Sequence, residues 1–122
     1  MKAYHTDKGG IGIWRLSGVV GIADALTLLR SLDKRENGCF IIDFEQVDHI
    51  DYRAFELLEE CRPSGAKLLY SGLSDYVLDI YAFVKDSRGV AVYPDLQRAL
   101  SYLTVERGKI CSPASRDFRR RA

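Results

Sequence analysis

Near the start of the chain, apolar and polar or small positions alternate. Ile11, Ile13 and Arg15 fall on one side of an extended segment, Gly12, Trp14 and Leu16 on the other, which is the period of a strand. Thr6-Asp7-Lys8-Gly9-Gly10 separates this segment from an earlier strand-like stretch near His5. The chain is therefore expected to open with an antiparallel hairpin, and Ser17-Gly18 to break its second strand.

The period then changes. Asp24 to Lys34 reads as a helix with Ile22, Leu26, Leu29 and Leu32 or Asp33 along one face, closed by Asn37-Gly38. Cys39-Phe40-Ile41-Ile42 is a continuous apolar run leading into Asp43-Phe44. A strand apolar on both faces needs a layer on each side, so it predicts an α/β layered domain. Gln46 to Ile50 reads as a loop, and Asp51 as the N-cap of a helix that buries Phe55, Leu58 and Cys61. Pro63 and Gly65 end that helix.

The alternation repeats. Lys67 to Tyr70 is a short strand, and Ser74 caps a helix carrying Val77, Ile80 or Tyr81, and Val84. Val90 to Tyr93 is the last strand. Pro94, at a first helical position, opens a helix with Leu96, Ala99, Leu100 and Leu103. The expected order is β-β-α-β-α-β-α-β-α, a small mixed sheet of about five strands with about four helices. Residues 1–104 form the expected domain and 105–122 a basic C-terminal tail, mobile from Gly108 onward.

Composition narrows the class. With 122 residues, 47% of them hydrophobic, the chain is the size of one domain and too apolar for extensive disorder. Its 18 basic and 17 acidic residues leave a formal +1, so no global field points to specific nucleic-acid binding. No apolar run is long enough for membrane insertion, and the N-terminus lacks a signal peptide's apolar stretch. Cys39, Cys61 and Cys111 have neither metal nor disulfide spacing. Cys39 and Cys61 read as core or near-core thiols, and unpaired thiols suit the cytoplasm. Arg107, Lys109, Arg116, Arg119, Arg120 and Arg121 concentrate positive charge at the end of the chain, best read as a solvated tail.

Candidate chemistry is sparse. Asp43, Glu45, Asp48 and Asp51 gather four carboxylates, but the glycine and terminal Glu of a calcium loop are missing. They read as a strand-end acid, two loop acids and a helix cap, with no metal. His5 and His49 have no nucleophile at a recognisable spacing, and Gly9-Gly10 suits a turn better than a phosphate cradle. No catalytic residue, cofactor or enzyme activity is assigned. Tyr52, Arg53, Glu56, Glu59 and Glu60 lie off the buried stripe of the second helix, and an exposed Tyr-Arg pair is interface chemistry. Tyr70, Tyr76, Tyr81 and Tyr93 read as core or half-buried.

Phe40-Ile41-Ile42-Asp43, a short loop, an apolar residue, then Asp51 heading a helix with Leu58 inside together resemble the signature of STAS domains, the anti-sigma factor antagonist fold. Leu16-Ser17-Gly18 is similar to the family's second strand end, and Val92 to Leu100 to its last strand and helix. The resemblance spans about residues 3–104. It implies a non-catalytic, cytoplasmic protein-binding module of bacterial regulation, with an anti-sigma factor or related kinase as partner and a homodimer as a further option. In such partner switching a serine after the Asp is phosphorylated, changing the charge of the docking surface. Here Tyr52 holds that position and Gly21 stands where an acidic loop residue is usual, so the serine switch does not carry over. The expected partner-binding residues are Asp51, Tyr52, Arg53 and Glu56, joined by Ser17, Gly18 and Gly21 and by Ser74 and Asp75. Alternative roles are an accessory subunit of a lipid-type ABC transporter, or a small-ligand domain for a nucleotide or lipid.

Overall fold

The computed structural model describes residues 1–32, 38–63, 65–84 and 90–111, with side chains as far as position 105. Its elements are β1 (Lys2–Lys8), β2 (Ile11–Val20), α1 (Ile22–Leu32), β3 (Cys39–Ile50), α2 (Tyr52–Glu60), β4 (Lys67–Ser71), α3 (Asp75–Tyr81), β5 (Ala91–Tyr93) and α4 (Leu96–Cys111). The strands form one sheet in the order β1-β2-β3-β4-β5. β1 is antiparallel to β2, and every later neighbour is parallel. The expected element order and mixed sheet are both present.

The sheet separates two cores. Trp14, Leu16, Phe40, Ile42, Phe44, Leu68 and Tyr70 face α1, α2 and α3 through Leu28, Leu32, Phe55, Leu58 and Val77. On the other side Ile11, Ile13, Ile41 and Leu69 pack against Ala99 and Leu103 of α4. Successive residues of β2 and β3 therefore serve opposite cores, as the alternation of a pleated strand requires. Over Cys39–Ile42 both faces of the central strand are covered by helices, which is why that run carries no polar face.

Several boundaries differ from the sequence reading. Ser17-Gly18 does not end β2. Gly18 takes φ 85° within register shifts between β2 and β3, and the strand runs on to Val20, a bulge rather than a break. β3 continues through Gln46–Ile50, so Glu45, Asp48 and His49 belong to a strand and not a loop. Helix α1 begins at Ile22, and its buried face is Ala25, Leu28, Leu29 and Leu32, leaving Leu26 43% exposed. Its expected end at Lys34 and the Asn37 stop signal lie outside the described residues.

Pro94 precedes the helix instead of opening it. Asp95 Oδ1 accepts a 2.8 Å bond from the Arg98 N–H, the bond an N-cap makes. Helix α4 crosses the boundary expected at position 104 and continues to Cys111. Cys61 is exposed at the end of α2, and Glu59 is buried in its place. Residues 112–122 lie outside the described residues.

Candidate functional site

The site is built where β2 and β3 end together. Val20 and Ile50 are the last residue pair of these strands, and the Asp51 N–H donates to Val20 O at 3.0 Å. The chain then turns into a helix on each side. Gly21 N–H donates to Asp24 Oδ2 at 2.8 Å, tying the entry of α1. Asp51, with φ −73° and ψ 126°, is the N-cap of α2.

One carboxylate does two jobs there. Asp51 Oδ1 accepts from the Arg53 backbone N–H at 3.0 Å and from Arg53 Nε at 3.1 Å, and Oδ2 accepts from Nη2 at 2.8 Å. The guanidinium fork therefore grips both oxygens while the backbone bond caps the helix. Hydrogen bonds from the Arg53 side chain and then its backbone hold the Asp51 carboxyl below its ordinary value. The same side-chain bond, and then the Asp51 charge, raises Arg53. The pair neutralises itself locally, so the corner presents a held polar pair beside Tyr52, which is 42% exposed.

A contact between β3 and α3 widens this surface. His49 Nδ1 lies 2.7 Å from the Tyr76 hydroxyl, both residues exposed. It brings the start of α3 beside the tip of β3. There Ser74 caps α3 by accepting from the Val77 N–H at 3.2 Å, with Asp75 exposed next to it. Val19, 57% exposed, is opposite His49 in the β2–β3 register. Gly18 and Gly21 flank this strand end, whereas Ser17 sits further back, in register with Lys2 and Gln46. Glu56 is half-buried one turn into α2.

Of the residues expected from the sequence, the strand end joins Gly18, Gly21, Asp51, Tyr52 and Arg53, and the His49–Tyr76 bond adds Ser74 and Asp75. Ser17 stands apart within the sheet. Sequence reasoning missed Val19, His49 and Tyr76. Tyr76 was expected to be core or half-buried, yet it is 53% exposed. His49 and Tyr76 are 27 positions apart, and no local pattern links residues at that separation.

Asp43 also departs from the strand-end reading, being 2% exposed inside β3. Among the described residues no group of three or more His, Cys, Asp or Glu side chains is placed to hold a metal ion. No helix of the described residues is long and apolar enough to cross a membrane. A depression of about 300 Å³ lined by Arg62, Lys67 and Tyr102 begins at the opposite, N-terminal end of β4.

No protein-family model matches the chain. No curated protein matches it. Solved structures do. A sulfate transporter family protein from Wolinella succinogenes aligns with TM-score 0.60 and 26% identity, over 82% of this chain and 89% of that one. The anti-sigma factor antagonist SpoIIAA in its unphosphorylated form aligns with TM-score 0.52 and 11% identity, over 86% and 98%. The fold is STAS-like. The STAS-like body thus places the end of β3 and the N-terminus of α2 on one exposed corner.

Proposed function

We propose that this STAS-like chain is a non-catalytic protein-binding module that grips a regulatory partner through the Asp51–Arg53 corner. The observation that carries this reading is Tyr52, 42% exposed beside an arginine fixed by two bonds to its own helix cap. Aromatic and arginine side chains held in place before contact lose little entropy on binding, the property of interface anchors. Val19 and Tyr76 extend the apolar part of the surface, and Ser74 and Asp75 its polar rim. With Tyr52 at the helix start, control would not pass through phosphorylation of a serine at that position. The unpaired thiols of Cys39 and Cys61 suit work in the cytoplasm.

A transport role is the second reading, supported by the likeness to a sulfate transporter family protein. In that case the same corner would dock on a membrane transport assembly, such as the ATPase of a lipid-type ABC transporter. Affinity purification of the tagged chain from its own cells separates the two. A sigma-factor regulator or kinase in the eluate favours the first reading, and a transport subunit the second. Tyr52→Ala, with Tm nearly unchanged, and Arg53→Glu, with the modest fall in Tm that loss of the Asp51 ion pair brings, should each reduce recovery of that partner at least tenfold. Undiminished recovery with both variants would remove this corner from the interface.

A further inference from the structure

The corner carries a definite sign of charge. From Phe44 to Glu60, the end of β3 and all of α2, Arg53 is the one Lys or Arg residue, and α3 has none. Arg53 Nη2 lies 2.8 Å from Asp51 Oδ2, so that cation and its partner cancel. Arg15 of β2 is taken by Asp43 and Glu45. Asp48 in β3 and Asp75 and Asp79 in α3 then remain as exposed carboxylates. Among the described residues none of these three takes part in an ion pair.

The fold sets these charges around apolar groups. Asp75 and Asp79 are one turn apart on α3, and both are exposed where Val77 is buried. Tyr76, next to Asp75, meets His49, which follows Asp48 in β3 and lies opposite Val19 of β2. Val19, Tyr52 and Tyr76 are all exposed, so this apolar surface has a rim whose surplus charge is negative. Among the described residues no three acids, histidines or cysteines are gathered to hold a metal ion. The carboxylates are spread as the polar rim of an interface is, not closed into a cage.

We propose that the partner gripped at this corner presents a basic surface of another protein, with an apolar side chain against Tyr52 and Tyr76 and Lys or Arg residues meeting Asp48, Asp75 and Asp79. This rests on the partner-binding reading and adds the partner's chemistry to it. Opposite charge speeds encounter and selects which surface docks, while like charge opposes it. An acidic protein face, a nucleic-acid backbone or an anionic lipid surface would each bring like charge to the same three carboxylates. Arg53 contributes a fixed shape and no net charge. A single exposed charge pair is weak, so selection comes from three of them around one apolar contact.

Two synthetic amphipathic peptides, one of Leu and Arg and one of Leu and Glu, test the sign on the nitrogen-15-labelled full chain. The Leu/Arg peptide should move the amide resonances of Gly21, His49, Tyr52 and Tyr76, and the Leu/Glu peptide should leave them in place. Asp48→Asn, Asp75→Asn and Asp79→Asn combined in one chain should weaken the Leu/Arg peptide about tenfold at low salt. At about 0.5 M NaCl, where charges are screened beyond about 4 Å, that difference should vanish. Equal binding of the two peptides, or a Leu/Arg peptide that leaves the corner resonances unmoved, would overturn the proposal.

Recovery of the cellular partner separates this proposal from the corner reading beneath it. The chain with all three Asn substitutions should recover about tenfold less partner, as Tyr52→Ala does. Loss with Tyr52→Ala but not with the Asn substitutions would keep the corner and refute a basic partner. Loss with neither would remove both. A second copy of the chain, whose end is rich in arginine, is the rival occupant. It would show in sedimentation velocity as a concentration-dependent dimer abolished by the Asn substitutions, and that result would also overturn the proposal.

Discussion

Ser71 Oγ donates a 2.8 Å hydrogen bond to Asp43 Oδ1, and both residues are almost wholly buried. Arg15 Nε approaches the other carboxylate oxygen at 3.5 Å. The three residues are in register across β2, β3 and β4, so a single carboxylate ties three strands at the level where β4 ends. Ser71→Ala would take a donor from a buried charge, which costs about 1–3 kcal/mol. Urea denaturation should show the loss as a lower midpoint with an unchanged slope.

Gly72 lies against the same carboxylate. It takes φ 71°, and a Cβ there would come within 2.7 Å of Asp43 Oδ1 and 3.1 Å of the Glu45 nitrogen. Gly18 has φ 85° but nothing within 4 Å of its would-be Cβ. Gly18→Ala should therefore cost only the left-handed strain, about 1 kcal/mol. Gly72→Ala should cost clearly more, because the clash adds to the strain. Thermal unfolding of the two variants side by side checks the ranking.

Acid should weaken the corner. The Asp51 carboxyl is held below its ordinary value by Arg53, so its contribution to stability is present above the unfolded aspartate value of about 4. That contribution is lost as pH falls through the lowered folded value. Asn is an equally good N-cap but does not titrate. Wild type should exceed Asp51→Asn at pH 6 in urea midpoint, and the gap should close toward pH 2. Asp51→Ala should lose about 1 kcal/mol at either end from the missing cap.

Alkali should act on Tyr70. Its hydroxyl donates to Glu59 Oε2 at 3.2 Å inside the core. Burial first, and then the Glu59 charge, raises its pKa well above the ordinary tyrosine value. The stability linked to that proton is complete below about pH 10 and declines as pH rises toward the raised folded value. In an absorbance titration, Tyr70 should ionise above the ordinary tyrosine value and together with unfolding. Tyr70→Phe should be about 1–2 kcal/mol less stable at neutral pH and lack that alkaline component.

Much of the framework was legible along the chain. The alternation in β2 assigned Ile11 and Ile13 to one core and Trp14 and Leu16 to the other. The two-sided run at Cys39–Ile42 implied helices on both faces, and Asp51 and Ser74 were recognisable caps because their partners lie two or three residues away. Errors arose where neighbours distant in sequence decide. Glu59 reads as a surface acid until Tyr70 is placed beneath it. Leu26 fits a helical stripe nearly as well as Leu28 until α2 fixes the rotation of α1. Gln46 to Ile50 reads as a loop because its extended form depends on pairing with Ser17–Val20.

Sequence alone determined the order of the elements, the two-sided central strand and the caps that start α2 and α3. Those features rest on contacts spanning one turn or one strand, where spacing is itself the physical cause. Only the tertiary structure decided that Asp43 and Ser71 would be buried together, that His49 would meet Tyr76, and that β1 would stand uncovered. Each depends on the order of strands in the sheet and on which helix covers which face, and packing fixes both only after chain segments far apart in sequence have met.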